Sequence, residues 1–266
     1  MPLAICATPI GNLEDITLRV LTELREADLV LAEDTRHTRG LLDRHGISAR
    51  LLSYHEHNEA ARVAELLPRL EAGERIALVS DAGMPAISDP GARLVRAALD
   101  AGIDVTVLPG PSAVETALVA SGLAGGRYAF VGFLPRKAGE LEALWRETTE
   151  WGCPVVAFES PHRLTASLRS LAEFDPEREV AVCRELTKRF EEVARGTAGE
   201  LAERLVEPPK GEITLVVGAG AAESDPESAR QAVADLVAAG TPRGVAAEVV
   251  ARLTDTSRND LYRGSL

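Results

Sequence analysis

The sequence predicts an α/β protein of two domains, and three observations indicate that class. Short apolar runs, each followed by a stretch of helical spacing, alternate through the first half of the chain. A link of small residues at 121–126 precedes a second series of strand patterns. The chain has 266 residues and is 45% hydrophobic, which is enough to build a core in each half. We therefore expect a mostly parallel N-terminal sheet, a mixed C-terminal sheet and a short helical appendix.

Five strand-then-helix units make up the first half. The first apolar run covers residues 3–7, turns at residues 8–12 and leads into helical spacing at residues 15–27. The four runs after it cover residues 28–32, 51–54, 76–79 and 105–108. Repeated units of this kind give parallel strands with helices on both faces of the sheet.

The loop after the fourth strand is longer than a simple connection requires. Residues 80–91 read SDAGMPAISDPG and contain two glycines, two prolines and two aspartates. A strand-to-helix link usually needs only a few residues, and long links tend to be functional. Because ligands bind outside the carboxyl ends of parallel strands, we predict that this loop forms one wall of a ligand site.

Polar or glycine- and proline-rich clusters also follow most of the other strands. They cover residues 8–12, 33–37, 55–58, 109–112, 132–137, 159–163 and 184–188. The sequence contains no P-loop motif, and no Gly-x-Gly-x-x-Gly follows its first strand. The first half is therefore expected to carry a site of another kind at the carboxyl end of its sheet.

The second half repeats the strand pattern in a different order. Strand-like runs cover residues 128–131, 155–158, 180–183 and 213–217. Residues 190–194 look extended and antiparallel to the run before them, which favours a mixed sheet. The predicted domains are residues 1–121 and 127–221, and the link between them is the predicted boundary.

A helical appendix at residues 228–266 follows a linker-like segment at residues 223–228. Gly240 and the Thr241–Pro242 pair end one helix and begin the next. The arrangement is similar to a helix-turn-helix, but no interleaved aromatic residues support contact with nucleic acid. We interpret the appendix as a packing or partner-docking element.

The charge and the rare residues limit the classes of function. A formal net charge of −12 argues against a general nucleic-acid coat but leaves room for a local basic patch. The chain has only three lysines, Lys137, Lys188 and Lys210, against 26 arginines. Lysine and arginine do not exchange freely at a binding site. These three lysines are therefore either binding-site residues or residues that occur by chance on a solvated surface.

Neither a structural metal nor a membrane is indicated. The three cysteines, Cys6, Cys153 and Cys183, each lie in an apolar run, which favours reduced core thiols. His55 and His57 lack a matching cluster of ligands, so we expect no metal site. The sequence has neither a signal-peptide pattern nor a long apolar run, and we expect a cytoplasmic protein.

Seven motifs together resemble a known family. They are TPIGNL at 8–13, EDTRHT at 33–38, SDAG at 80–83, PGPSA at 109–113, GFLPRK at 132–137, ESPHR at 159–163 and RELTK at 184–188. In order and spacing they resemble the bacterial ribosomal RNA small-subunit methyltransferase I family of the tetrapyrrole (corrin/porphyrin) methylase superfamily. The resemblance covers residues 3 to about 220 and is weaker over the C-terminal helices.

The resemblance implies a two-domain tetrapyrrole-methylase-like fold, usually a homodimer, that binds S-adenosylmethionine between its domains. It implies methyl transfer to the 2′-hydroxyl of a cytidine in the decoding region of 16S rRNA, with 16S rRNA or the small ribosomal subunit as partner. The implied cofactor-binding residues are Pro9, Asp81, Gly83, Met84, Ile87, Ser112 and Ala113. Met84 stands where a threonine is usual, and Phe158 where a tyrosine is usual.

Methyl transfer to a ribose hydroxyl needs positioning first and a proton acceptor second. The catalytic candidates are Glu33, Asp34, Glu159 and Lys188, although one member of the Glu33–Asp34 pair is expected to cap a helix. Basic and imidazole side chains near the strand ends are the candidate RNA contacts. They are Arg36, His37, His55, His57, Arg136, Lys137, His162, Arg163 and Arg184.

Two other classes of function stay open from the sequence. One is a methylase that acts on a small molecule such as a porphyrinoid, or on a protein side chain, and its cleft would have a less basic rim. The other is a non-catalytic module that binds RNA or the ribosome and keeps the fold. An intact cofactor loop argues against the second class.

Overall fold

The computed structural model describes residues 2–220, 226–254 and 256–264 and confirms the α/β class. The first sheet contains five strands, all parallel, in the order β3-β2-β4-β1-β5. The strands are β1 (Leu3–Cys6), β2 (Leu29–Ala32), β3 (Leu51–Ser53), β4 (Ile76–Val79) and β5 (Val105–Leu108). Every residue of the three central strands β1, β2 and β4 is buried, as their continuous apolar runs require.

Five helices and one 3₁₀ turn connect these strands and lead out of the last one. They are the 3₁₀ turn Leu13–Asp15, α1 (Leu18–Glu26), α2 (Thr35–Arg44), α3 (Glu59–Glu71), α4 (Ala92–Asp100) and α5 (Ala113–Ser121). The first helix begins three residues later than its spacing predicts. Thr17 caps it, since its hydroxyl accepts a hydrogen bond from the Val20 backbone N–H at 3.2 Å.

The second sheet is mixed, as predicted, with the order β6-β7-β10-β8-β9. Its strands are β6 (Ala129–Phe133), β7 (Val155–Glu159), β8 (Glu179–Arg184), β9 (Glu192–Thr197) and β10 (Ile213–Val217). Only β6 and β7 run parallel to each other, and every other pair is antiparallel. Three helices cover one face of this sheet, α6 (Ala138–Glu150), α7 (Pro161–Phe174) and α8 (Ala198–Arg204).

The C-terminal helices form a small cluster with an apolar core of their own. They are α9 (Pro226–Ala238), α10 (Arg243–Thr254) and α11 (Arg258–Gly264). The core is built mainly from Val233, Ala247, Val250 and Leu261. No helix among the residues that the structure describes is long and apolar enough to cross a membrane. Residues 223–225 of the predicted linker and residues 255, 265 and 266 of the predicted appendix lie outside the described residues.

Helix α5 joins the two sheets. It follows the last strand of the first sheet, yet its apolar residues Val114, Ala117 and Leu118 pack with Val156 and Ala181 of the second sheet. The domain boundary at residues 121–126 stays a prediction. Helix α5 lies before that boundary in the sequence, but it packs in the core of the second sheet. Through this packing, α5 connects the end of β5 in the first sheet with the core of the second sheet.

Candidate functional site

A cavity of about 560 Å³ lies between the two sheets, at the carboxyl end of the first one. Residues 81–84 and 87–89 of the long loop form one wall, and residues 112–115 at the start of α5 form the floor. The opposite wall comes from the second sheet, through Phe130, Phe158 and Thr214. The cavity is large enough for a nucleoside-sized ligand.

Hydrogen bonds to the loop after β1 fix the loop after β4. The backbone N–H of Thr8 donates to the Gly83 carbonyl at 2.9 Å, and the Gly83 N–H donates back to the Thr8 carbonyl at 3.1 Å. The Thr8 hydroxyl donates to the Ser80 carbonyl at 3.0 Å. Gly83 has φ +79°, a conformation that glycine adopts without the penalty a side chain carries. The loop is therefore shaped before any ligand binds.

Two other residues of the long loop, Ala86 and Ser88, also adopt positive φ, at 69° and 61°. Non-glycine residues in this region cost free energy and concentrate at functional sites. A side chain of α3, the helix before β4, holds the end of this loop. The Gly91 backbone N–H donates to Glu59 Oε1 of α3 at 3.0 Å.

Three carboxylates, Glu33, Asp81 and Asp89, line the cavity on the side of the first sheet. Burial, and next the nearby charge of Glu33, raise the pKa of Asp89 to about 6. Burial, and next the charge of Asp81, raise the pKa of Glu33 as well. Like charges confined in one place oppose each other's ionisation, so this wall favours a cationic ligand.

An aromatic cluster forms the facing wall. Phe158 of β7 touches Phe130 and Phe133 of β6, with ring centroids 5.0 Å and 5.5 Å apart in edge-to-face geometry. The Tyr128 hydroxyl donates to Glu115 Oε1 at 2.7 Å, and the Ser112 hydroxyl donates to the same carboxylate. One wall of the cavity is thus acidic and the other is apolar and aromatic.

Six of the seven residues expected to bind cofactor line this cavity. They are Asp81, Gly83, Met84, Ile87, Ser112 and Ala113. Pro9 is buried behind the Thr8–Gly83 bridge and does not line the cavity. Met84 lines the cavity and also packs on the core beneath the first sheet. An apolar side chain is therefore accommodated at that position.

The catalytic candidates fall in different places, and only Glu33 lines the cavity. Asp34 caps α2 by accepting from the Arg36 backbone N–H at 2.8 Å. The side-chain hydrogen bond from Arg36 lowers the pKa of Asp34 to about 2, which makes it a weak proton acceptor. Asp34 thus caps a helix, while Glu33 lines the cavity.

Glu159 and Lys188 lie outside this cavity and are held by other side chains. Because Phe158 lines the cavity and successive strand residues alternate, Glu159 points to the opposite face of the sheet, where its side chain is fully buried. Lys188 donates to Glu185 Oε1 at 2.8 Å and to Glu212 Oε2 at 2.9 Å. Burial alone would lower the pKa of Lys188, but these two hydrogen bonds raise it above its usual value. Lys188 therefore stays cationic.

None of the candidate RNA contacts lines the cavity. The exposed ones are Arg36, His37, His57, Arg136, Lys137 and His162. The other three, His55, Arg163 and Arg184, are half-buried and hydrogen-bonded to neighbouring groups. Arg136 forms no hydrogen bond or ion pair with any residue in the described part of the chain.

A second, more open groove of about 780 Å³ lies beside the first loop. Its lining includes Asn12, Arg44, Lys188 and Arg189. The Asn12 backbone N–H donates to the Thr187 hydroxyl at 3.0 Å, which ties the two sheets together at this point. Arg44 and Lys188 are both paired with carboxylates, so only part of the positive charge of the groove is free.

Sequence reasoning missed the aromatic wall and Asp89. Phe130, Phe133 and Phe158 are three of only five phenylalanines in the chain, and that concentration in two neighbouring strands is the signal that could have found them. Asp89 lies inside the long loop, where its position beside Pro90 was visible. Its closeness to Glu33 depends on how β2 and β4 pair, which the sequence does not show.

Comparisons with known proteins agree with the motifs. Residues 2–202 match the family model of the tetrapyrrole (corrin/porphyrin) methylases. The ribosomal RNA small subunit methyltransferase I of Mesorhizobium japonicum is 45% identical over 264 residues, which are 98% of this chain and 90% of that protein. The protein of the same name from Thermotoga maritima is 47% identical over 219 residues, which are 81% of this chain and 97% of that protein.

Solved structures extend the likeness to the fold. The uroporphyrin-III C-methyltransferase of Thermus thermophilus, solved in complex with S-adenosylhomocysteine, superimposes with a TM-score of 0.56 at 21% sequence identity. The match covers 81% of this chain and 96% of that one. At this level of identity the match concerns the arrangement of strands and helices alone.

Proposed function

Because the chain belongs to the tetrapyrrole (corrin/porphyrin) methylase family and, within it, to the ribosomal RNA small subunit methyltransferase I family, we propose that it 2′-O-methylates a cytidine of 16S rRNA. S-adenosylmethionine is the methyl donor, and the target lies in the decoding region of the small subunit. The protein acts in the cytoplasm as a homodimer. The observation that carries the proposal is the cavity with one acidic and one aromatic wall.

The residues of this cavity fit S-adenosylmethionine. The donor combines a positively charged sulfonium with an adenosine and a short amino-acid tail. Asp81, Asp89 and Glu33 offer negative charge on one side, and the rings of Phe130 and Phe158 offer an apolar surface on the other. Gly83 lines the cavity without a side chain, which allows a ligand to approach the loop closely.

When bound, the donor supplies an electrophilic methyl group on a good leaving group. The chain then has to place a ribose hydroxyl in line with it and accept the hydroxyl proton. Positioning can supply about 7–11 kcal/mol of such a barrier, whereas one general base contributes about 10²–10⁴-fold. We assign Glu33 as the acceptor of the hydroxyl proton, because it lines the cavity and has a raised pKa.

The rim of the cavity supplies the contacts to RNA. Arg136 and Lys137 follow β6 and are exposed beside the aromatic wall. Arg36, His37, His55, His57, His162, Arg163 and Arg184 complete the proposed basic surface. Phosphate contacts of this kind position an RNA without reading its sequence. In a protein of net charge −12, a small basic rim favours a folded ribosomal particle over free RNA as substrate.

The decisive experiment maps 2′-O-methyl groups in 16S rRNA from small subunits that were incubated with the protein and S-adenosylmethionine. One new modified cytidine in the decoding region is the expected result. Glu33→Gln should lose about 10²-fold or more in rate, as expected for a lost general base, while Glu71→Gln on the exposed face of α3 should not. Methylation of a porphyrinoid without methylation of RNA would overturn the proposal.

A further inference from the structure

Phe133 stands out among the apolar residues that the structure leaves exposed. Its side chain is 62% exposed at the mouth of the cavity, whereas the neighbouring rings of Phe130 and Phe158 are half-buried. Single exposed apolar residues are common on protein surfaces. This one is different because it lines the functional cavity and is fixed against Phe158 with ring centroids 5.5 Å apart.

A β-bulge aims Phe133 at the cavity. Phe130 pairs with Val156 and Phe133 with Phe158, so β6 advances three residues while β7 advances two. In a regular strand, residues three apart point to opposite faces, but the extra residue returns Phe133 to the face of Phe130. Gly132 takes part in the irregularity with φ +69°. Bulges next to active sites often turn one side chain in this way.

The bulge also places Phe133 at the meeting point of the two sheets. A Cβ atom built on Gly132 would lie 3.6 Å from the Ser88 hydroxyl oxygen of the long loop. Three residues further along the chain, Arg136 is exposed, and such a segment spans at most about 11 Å. Phe133 is thus flanked by the cofactor loop on one side and by the basic rim on the other.

We propose that the open face of the Phe133 ring stacks on an unpaired nucleobase of the RNA substrate. This inference rests on the proposed function and deepens it, because it assigns a base-binding subsite beside the reacting ribose. Proteins that bind specific RNAs commonly take unstacked bases onto aromatic side chains. Arg136 and Lys137 contact the neighbouring phosphates.

The test compares Phe133→Leu with Phe133→Tyr, using small ribosomal subunits that lack the modification. Leucine keeps the apolar bulk and removes the aromatic face, while tyrosine keeps the face. We expect Phe133→Leu to raise KM for the subunits on the order of tenfold, as the loss of one stacked base predicts, and Phe133→Tyr to stay close to wild type. Phe190→Leu is the matched control, since that ring is 64% exposed and does not line the cavity.

Calorimetry with S-adenosylhomocysteine distinguishes an effect of the substitution on RNA binding from an effect on cofactor binding. The proposal predicts equal cofactor affinity for wild type and Phe133→Leu. It is overturned if that affinity falls in parallel with activity, if Phe133→Tyr behaves like Phe133→Leu, or if Phe133→Leu has the KM of wild type. A wild-type protein that methylates no RNA overturns the proposed function itself, whereas an active wild type with an unchanged Phe133→Leu overturns only the stacking.

Discussion

The Arg163 guanidinium lies 3.3 Å from the carboxylate of Glu159, whose side chain is completely buried. Glu159 also accepts hydrogen bonds from the Ser160 backbone N–H and the Ser167 hydroxyl. Arg163 in turn donates to the carbonyl oxygens of Leu134 and Pro135. The pair therefore fastens the segment that leads from Phe133 to the basic rim.

Glu159→Ala should reduce stability, because it leaves several buried donors without an acceptor. The expected loss in the free energy of unfolding is about 1–3 kcal/mol, measured by urea denaturation. Glu140→Ala is the control, because its ion pair with Lys137 is exposed and should be worth at most about 1 kcal/mol. Equal stability of the two variants would contradict a structural role for Glu159.

Gly91→Ala should distort the long loop. Gly91 has φ +138°, and a Cβ atom there would lie 2.7 Å from Leu78 Cδ2. Backbone strain and overpacking each cost about 1–3 kcal/mol, so we expect a combined loss of about 3 kcal/mol or more. Gly46→Ala is the matched control, since Gly46 also has positive φ but open space around it, and should lose only about 1–2 kcal/mol. Thermal denaturation of both variants decides the comparison.

Asp89 should make cofactor affinity depend on pH. Its pKa is raised to about 6, so it becomes protonated as the pH falls through that value and no longer attracts a positive charge. The affinity for S-adenosylmethionine should therefore fall between about pH 8 and about pH 5. S-adenosylhomocysteine, which lacks the sulfonium charge, should show a smaller fall, and Asp89→Asn should flatten both curves.

The raised pKa of Asp89 also makes the stability of the protein depend on pH. A carboxyl group whose pKa is higher in the folded state opposes folding once it ionises, and protonation relieves the penalty. Without ligand, Asp89→Asn should therefore be more stable than wild type at about pH 8 and similar to it at about pH 4. If the wild type were more stable than Asp89→Asn at about pH 8, that result would contradict the burial of the Asp89 carboxylate.

The sequence predicted the strands well because burial on both faces leaves a continuous apolar run. Ile76–Val79 is such a strand, and its partners in the sheet have the same character. The placement of α5 could not be predicted in the same way. Its apolar residues show that it must be buried, but they do not show against which sheet.

The candidate site was predicted in part for a comparable reason. The composition of the long loop indicated a ligand wall, and most of its residues do line the cavity. The orientation of Phe133 depends on the bulge in β6. The closeness of Glu33 to Asp89, which adds to the effect of burial on the pKa of Asp89, depends on β2 lying beside β4. Both features arise from pairing between distant segments, which local patterns do not encode.

Lys188→Arg tests whether Lys188 acts as a base. Arginine cannot be deprotonated at the pH of the reaction, so a general-base role predicts a loss of about 10²–10⁴-fold in rate. We expect most of the activity to remain, because Lys188 is already a cation bound to Glu185 and Glu212. Lys210→Arg, at an exposed position on the neighbouring loop, is the control.

Reversing the charge of Arg136 and Lys137 together should weaken RNA binding without changing cofactor affinity. Both side chains are exposed, and neither lines the cavity. The affinity for small subunits should fall, and its dependence on salt should become shallower by about one unit of slope for each lost phosphate contact. Lys210→Glu controls for the added negative charge. A parallel loss of S-adenosylhomocysteine affinity would place these side chains at the cofactor rather than at the RNA.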